Sequence, residues 1–196
     1  MGQPKLLLPW PTNKGGGVKP SVATLIDHVL QVWTSSRVDE IVVIVRSDDQ
    51  ALLKACLQWK VSIVQPEIAP SDMKESVQHG FRFLQKRDPG IRDCCFVAPA
   101  DLPTLSATVI DRLIDTDSGG STIVVPSFGG RSGHPIRLPW LLSNEILSLG
   151  ENAGVNQVVA RHPKILVEFP AREWEEDIDT PEEYRAALKS AFKNSN

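Results

Sequence analysis

Two aspartates stand at the ends of expected elements, where a carboxylate can serve as an oxygen donor. Asp101 lies in Pro99-Ala100-Asp101-Leu102-Pro103, directly after the apolar run Cys94 to Ala98. An aspartate leaving a buried strand emerges at the carboxyl edge of an α/β sheet, where ligands bind. Asp101 also reads as a turn aspartate between two prolines. Asp179 lies in Asp177-Ile178-Asp179-Thr180-Pro181-Glu182-Glu183, at the mouth of a helix. Thr180 as cap, Pro181 at the first helical position and Glu183 closing a capping box explain that pattern without a metal.

Cations and hydroxyls suited to phosphate or substrate are scattered between them. Arg131 and His134 fall in Gly129-Gly130-Arg131-Ser132-Gly133-His134-Pro135. The arginine fork matches a phosphate, and a histidine titrates in the range suited to proton transfer, although it serves equally as a residue holding the turn. Lys5, in Lys5-Leu6-Leu7-Leu8-Pro9, is by residue type alone an exposed lysine near a chain end. Ser76 lies in Ser71-Asp72-Met73-Lys74-Glu75-Ser76-Val77, a stretch that Asp72 and Glu75 cap as an ordinary helix. Gly15-Gly16-Gly17-Val18-Lys19 imitates a phosphate loop but lacks the Gly-Lys-Ser/Thr ending and has no strand before it, so we read it as a flexible connection.

The elements that must position these groups alternate. Val22, Leu25, Ile26, Val29, Leu30 and Trp33 recur at helical spacing. Ile41 to Val45 is a β-branched run that predicts a strand buried on both faces. Ser47-x-x-Gln50 predicts a capped helix to about Trp59, followed by a strand at Val61–Val64 and a helix from Asp72 to about Lys86. Further on we expect strands at Cys94–Ala98, Thr122–Val125 and Ile165–Phe169. Helices are expected near Ser106–Asp115, Trp140–Leu149, Val155–Arg161 and after Thr180, with a loop or hairpin at Gly129–Gly133. This alternation predicts a single three-layer α/β/α domain, Rossmann-like, with a mostly parallel sheet.

Composition narrows the partners. A chain of 196 residues with 41% hydrophobic and 23% charged residues suits one globular core. The net charge of -3 argues against nucleic acid but leaves nucleotides open, since a local cation cluster is enough for a phosphate. No apolar run is long enough to span a membrane, and the start lacks the apolar core of a signal peptide. Cys56, Cys94 and Cys95 have no zinc spacing, and the latter two sit in an apolar run. We expect a reduced, cytoplasmic protein with buried, inert thiols.

Four motifs, in order, resemble those of the MobA/MocA-like nucleotidyltransferases, which make dinucleotide forms of the molybdenum cofactor. Met1-Gly2-Gln3-Pro4-Lys5-Leu6-Leu7-Leu8-Pro9 is similar to the family's Met-Gly-x-x-Lys-Leu-Leu-Leu-Pro. The others are the Asp72–Gly80 helix start, the Asp101 segment with the Gly-x-x-Gly-His-Pro segment that follows it, and Asp-Ile-Asp-Thr-Pro-Glu near the end. In the family a strand and a Leu-Ala-Ala-Gly-x-Ser-x-Arg loop lead into the first motif, whereas the sequence here starts at Met1. The resemblance runs from Met1 to about Leu188.

The resemblance implies a nucleotidyltransferase fold and a role for each residue. Lys5 would hold the nucleotide phosphates, Asp101 and Asp179 would bind Mg2+, and Ser76 would lie near base and ribose. Asp72 replaces a glycine of the family there, adding bulk and charge. Arg131 and His134 would border the acceptor. The implied reaction passes CMP, or GMP, from CTP or GTP to a phosphorylated acceptor, by analogy molybdopterin, with pyrophosphate leaving. Alternatives are a sugar or polyol phosphate acceptor, or a non-catalytic member without the triphosphate loop. A lost backbone donor costs about a hundredfold in rate, and an unpaired sheet edge would favour a partner chain, hence a homodimer.

Overall fold

Short polar signals set the helix starts. The computed structural model describes residues 4–12, 21–170 and 180–194. The segments 13–20, with the glycine run, and 171–179, with Asp179, lie outside the described residues. After a 3-10 turn at Lys5–Leu7, β1 (Pro9–Thr12) pairs antiparallel with β2 (Ser21–Thr24). Helix α1 (Leu25–Ser35) follows at once, capped by Thr24 in a capping box with Asp27. The apolar spacing predicted the helix from Val22, but residues 21–24 are a strand, because their backbone pairs with β1 before the cap turns the chain.

Next come β3 (Val42–Ile44), α2 (Gln50–Cys56), β4 (Ser62–Val64) and α3 (Met73–Gln85). The cap of α2 is Asp49, whose carboxylate accepts the Leu52 amide at 2.9 Å, and not Ser47. Gln50 instead donates its side-chain amide to the Ser47 carbonyl. Beyond Cys56 the chain turns rather than remaining helical to Trp59, and the Trp59 indole donates to Asp27 of α1 at 2.8 Å. Asp72 caps α3 through the Glu75 amide, as expected.

The second half contributes β5 (Cys94–Val97), α4 (Ala107–Asp115), β6 (Ile123–Phe128), β7 (Arg131–Ser132), β8 (Ile136–Pro139), α5 (Ser143–Leu147), α6 (Val155–Arg161), β9 (Lys164–Phe169) and α7 (Pro181–Asn194). The sheet order is β5-β8-β6-β7, with β9 on β6. β8 runs antiparallel to both β5 and β6, while β9 is parallel to β6. Thus β5, β6 and β9 point one way, and β8 is a reversed strand among them, giving a mixed sheet. The reversal follows from the Gly129-Gly130 turn, where both residues have positive φ (57° and 83°) and suit a two-residue hairpin.

Helices cover both faces. Phe81 of α3, Ile146 of α5 and Val158 of α6 pack with Ile123, Val125 and Leu138 on one face. Val109 and Leu113 of α4 meet Val124, Phe128, Val167 and Phe169 on the other. α1 divides its apolar stripe. Leu25 and Val29 join Trp10, Leu102 and Ile110, whereas Ile26 and Leu30 join Leu52, Cys56 and Val45 beside the β3–β4 pair. The β3 residues are half-buried, not buried on both faces, because among the described strands β3 is hydrogen-bonded only to β4.

The buried Arg137 of β8 closes the end of α4. Its guanidinium donates to the carbonyls of Leu113, Ile114 and Thr116 and to the Ser118 hydroxyl. Those carbonyls have no helical partner, so Arg137→Leu should cost about 3 kcal/mol in urea unfolding, and a loss near zero would contradict this assignment.

Cys94 is exposed, contrary to the expected burial, because it opens β5, while Cys56 is buried and Cys95 half-buried. Burial pushes the Cys56 thiol up to about 11 and the Cys95 thiol up to about 12. At neutral pH a thiol reagent should therefore modify Cys94 first and reach the other two only on unfolding.

Candidate functional site

The carboxyl edge of β5 brings Lys5 and Asp101 together. Leaving β5, the chain buries Leu102 and Leu105 in the core shared with α1 and keeps Asp101 between them and solvent. Lys5 comes from the 3-10 turn, which is anchored where the Leu25 amide bonds the Leu8 carbonyl at 2.9 Å. Lys5 Nζ lies 2.6 Å from Asp101 Oδ2, with both side chains about a quarter exposed (22% and 28%). A cation and a carboxylate thus share one half-open spot although they are far apart in sequence.

The hairpin lies along the same edge. β5 and β6 are parallel, so the Gly129-Gly130 turn after β6 lies on the side of the sheet from which Asp101 emerges. Val97 pairs with Ile136, two residues after His134. His134 is half-buried and precedes a cis Pro135, and Arg131 is exposed on β7. Ser76, in the first turns of α3, donates its hydroxyl to the Asp72 carbonyl at 3.2 Å. That is a helix-internal contact and gives Ser76 no link to Lys5 or Asp101. Asp179 lies outside the described residues.

No group of three or more His, Cys, Asp or Glu side chains arranged to hold a metal occurs among the described residues. Asp101 offers an oxygen donor at the Lys5 spot, which fits a cation that takes most of its ligands from phosphate and water. A hollow of about 310 Å³ lies at the opposite, amino edge of β5, lined by Arg92, Thr116, Ser118 and Arg137. The Arg137 donors there are taken up by the α4 end, which makes that hollow structural.

Sequence reasoning missed His28. Its Nε2 lies 2.9 Å from the Pro103 carbonyl, two residues past Asp101. A carbonyl only accepts, so Nε2 carries the hydrogen. Trp10 packs against the imidazole at 5.9 Å between ring centroids, and Tyr184 of α7 packs against Trp10 at 6.2 Å. The Tyr184 hydroxyl donates to the Pro9 carbonyl. A histidine beside the apolar positions of α1 was a weak sequence signal.

The family model for a MobA-like NTP transferase domain matches residues 1–165. The chain belongs to this family. Among curated proteins none matches the sequence. Solved structures share the fold of this MobA-like domain. Rv0371c from Mycobacterium tuberculosis H37Rv is 21% identical with a TM-score of 0.74, over 96% of this chain and 90% of that one. The same protein in a complex with manganese gives a TM-score of 0.70 at 21% identity, over 96% and 93%. A molybdopterin-guanine dinucleotide biosynthesis protein A from Archaeoglobus fulgidus is 15% identical with a TM-score of 0.65, over 98% and 92%. Within the described residues of this MobA-like domain, no helix is long and apolar enough to cross a membrane.

Burial pushes the His28 imidazole below its ordinary value of 6.5, against the pull of the Pro103 hydrogen bond. The unfolded chain therefore takes up this proton at a pH where the folded chain still refuses it. The stability due to neutral His28 is fully present above the imidazole's ordinary value of 6.5 and is lost as the pH falls below it through the lowered folded value. In His28→Gln the slope of the urea midpoint across this window should flatten, and an unchanged slope would contradict the assignment.

Proposed function

We propose that this MobA-like nucleotidyltransferase moves a CMP, or less readily a GMP, group from the triphosphate to a phosphorylated acceptor, molybdopterin by analogy. The observation that carries this reading is the Lys5–Asp101 pair at the carboxyl edge of β5. Asp101, joined by Asp179, would hold Mg2+, which when bound neutralises charge on the triphosphate oxygens. Lys5 turns from Asp101 towards the α-phosphate, where negative charge builds in the transition state.

An acceptor phosphate oxygen attacks the α-phosphorus in line, the bond from that phosphorus to the β-bridging oxygen breaks, and pyrophosphate leaves with the electron pair. The attacking oxygen is already ionised, so no residue need take a proton, and His134 holds the hairpin instead. Arg131, exposed on the same edge, suits the acceptor phosphate. Ser76 and the Asp72 cap lie at the α3 start, on the side read as facing base and ribose.

Calorimetry with CTP, GTP and Mg2+ tests the reading. CTP binding should depend on the metal and weaken at least about tenfold in Asp101→Ala, and Lys5→Ala should slow turnover by about a hundredfold. Metal-independent binding, or an Asp101→Ala chain that binds like wild type, would sink it. Product analysis with molybdopterin against sugar and polyol phosphates identifies the acceptor.

A further inference from the structure

The loop carrying Asp101 is poorly held by its own backbone. The β5 ladder ends at Val97, and Pro99 and Pro103 have no amide hydrogen to donate. Leu102 and Leu105 bury their side chains and close a turn, Leu105 N–H to Leu102 carbonyl, which fixes one side of the loop. From across the fold the loop receives Lys5 at Asp101 and His28 at the Pro103 carbonyl. Of these, Lys5 must release or share its partner when a phosphate arrives. The His28 bond is made to a main-chain carbonyl and competes with no ligand.

We infer that His28 is a positioning residue for Asp101, its Nε2–H holding the Pro103 carbonyl while Trp10, braced by Tyr184 of α7, fixes the imidazole. Two elements meet at that ring, α1, which carries it, and β1, which supplies Trp10, while α7 supplies Tyr184 against the Trp10 ring. The bracing thus runs from the Asp101 loop to the start of α7, the two segments read as the halves of the metal site. The neutral imidazole suits this task, since burial disfavours its charged form while Nε2 keeps its hydrogen. The inference rests on the nucleotide reading for its functional consequence but not for the tether itself.

Two measurements on the whole chain separate those parts. Amide exchange in residues 100–105 is followed without ligand, and binding of Mn2+ with CTP is followed by electron paramagnetic resonance. In His28→Leu the loop amides should exchange faster while α4 is unchanged, and Mn2+·CTP should bind about fivefold to tenfold more weakly. His28→Gln, which places an amide N–H near the same spot, should restore both to within about twofold. If His28→Leu does not fold, His28→Asn, polar but too short to reach, gives the same contrast.

Unchanged loop exchange would overturn the inference, as would faster exchange with wild-type Mn2+·CTP affinity. A Gln variant as impaired as the Leu variant would reduce His28 to core packing and overturn it too. If wild type binds no Mn2+·CTP while the loop still loosens in His28→Leu, the nucleotide reading fails and the tether is borne out.

Discussion

A lysine ammonium 2.6 Å from a carboxylate, half-open to solvent, is the contact around which this edge of the molecule is arranged. Exposed ion pairs contribute at most about 1 kcal/mol, so stability alone gives little reason to bring Lys5 and Asp101 together. Their juxtaposition matters more as a charge pattern, a fixed cation beside an oxygen donor at the sheet edge where α/β proteins bind ligands. The 3-10 turn, the buried Leu102 and the end of β5 all serve to hold that pattern in place.

Helix α1 carries the burden of positioning. Its stripe is split between two cores, so one rigid element sets the β3–β4 pair and the β5 sheet relative to each other. Its Asp27 ties down Thr24 and Trp59, and its His28 reaches the loop after β5. Polar side chains on an apolar helix face are costly to bury unless they are bonded, and each of these two has a defined partner. The helix start at Thr24 and the site at Asp101 are therefore connected through adjacent residues of one turn.

Much of this was legible in the sequence because the signals are local. Ser106, Asp72 and Thr180 cap the expected helices, and the β6–β7 turn is where the glycine pair placed it. Errors arose where local signals competed. The Thr24-x-x-Asp27 box was overridden by apolar spacing that runs on through Val22, and Asp49 outcompeted Ser47 because its carboxylate reaches the Leu52 amide. Cys94 was assigned to the core from its apolar neighbours, although the first residue of a strand at the amino edge meets solvent. Nothing local could announce the bonds of Arg137 to α4 or of His28 to Pro103, since both depend on segments far apart in sequence. The resemblance assigned Lys5 to the phosphates and Asp101 to the metal but no contact between them, and their ion pair came from the fold.

The most direct test of a cation and nucleotide shared between Lys5 and Asp101 is paramagnetic broadening by Mn2+ in protein carrying 13C-labelled aspartate carboxyls, with CTP present. The Asp101 carboxyl should broaden at the lowest Mn2+ addition, and Lys5→Ala should leave that broadening in place while weakening retention of CTP. Early broadening at other aspartates with Asp101 unaffected would contradict the account.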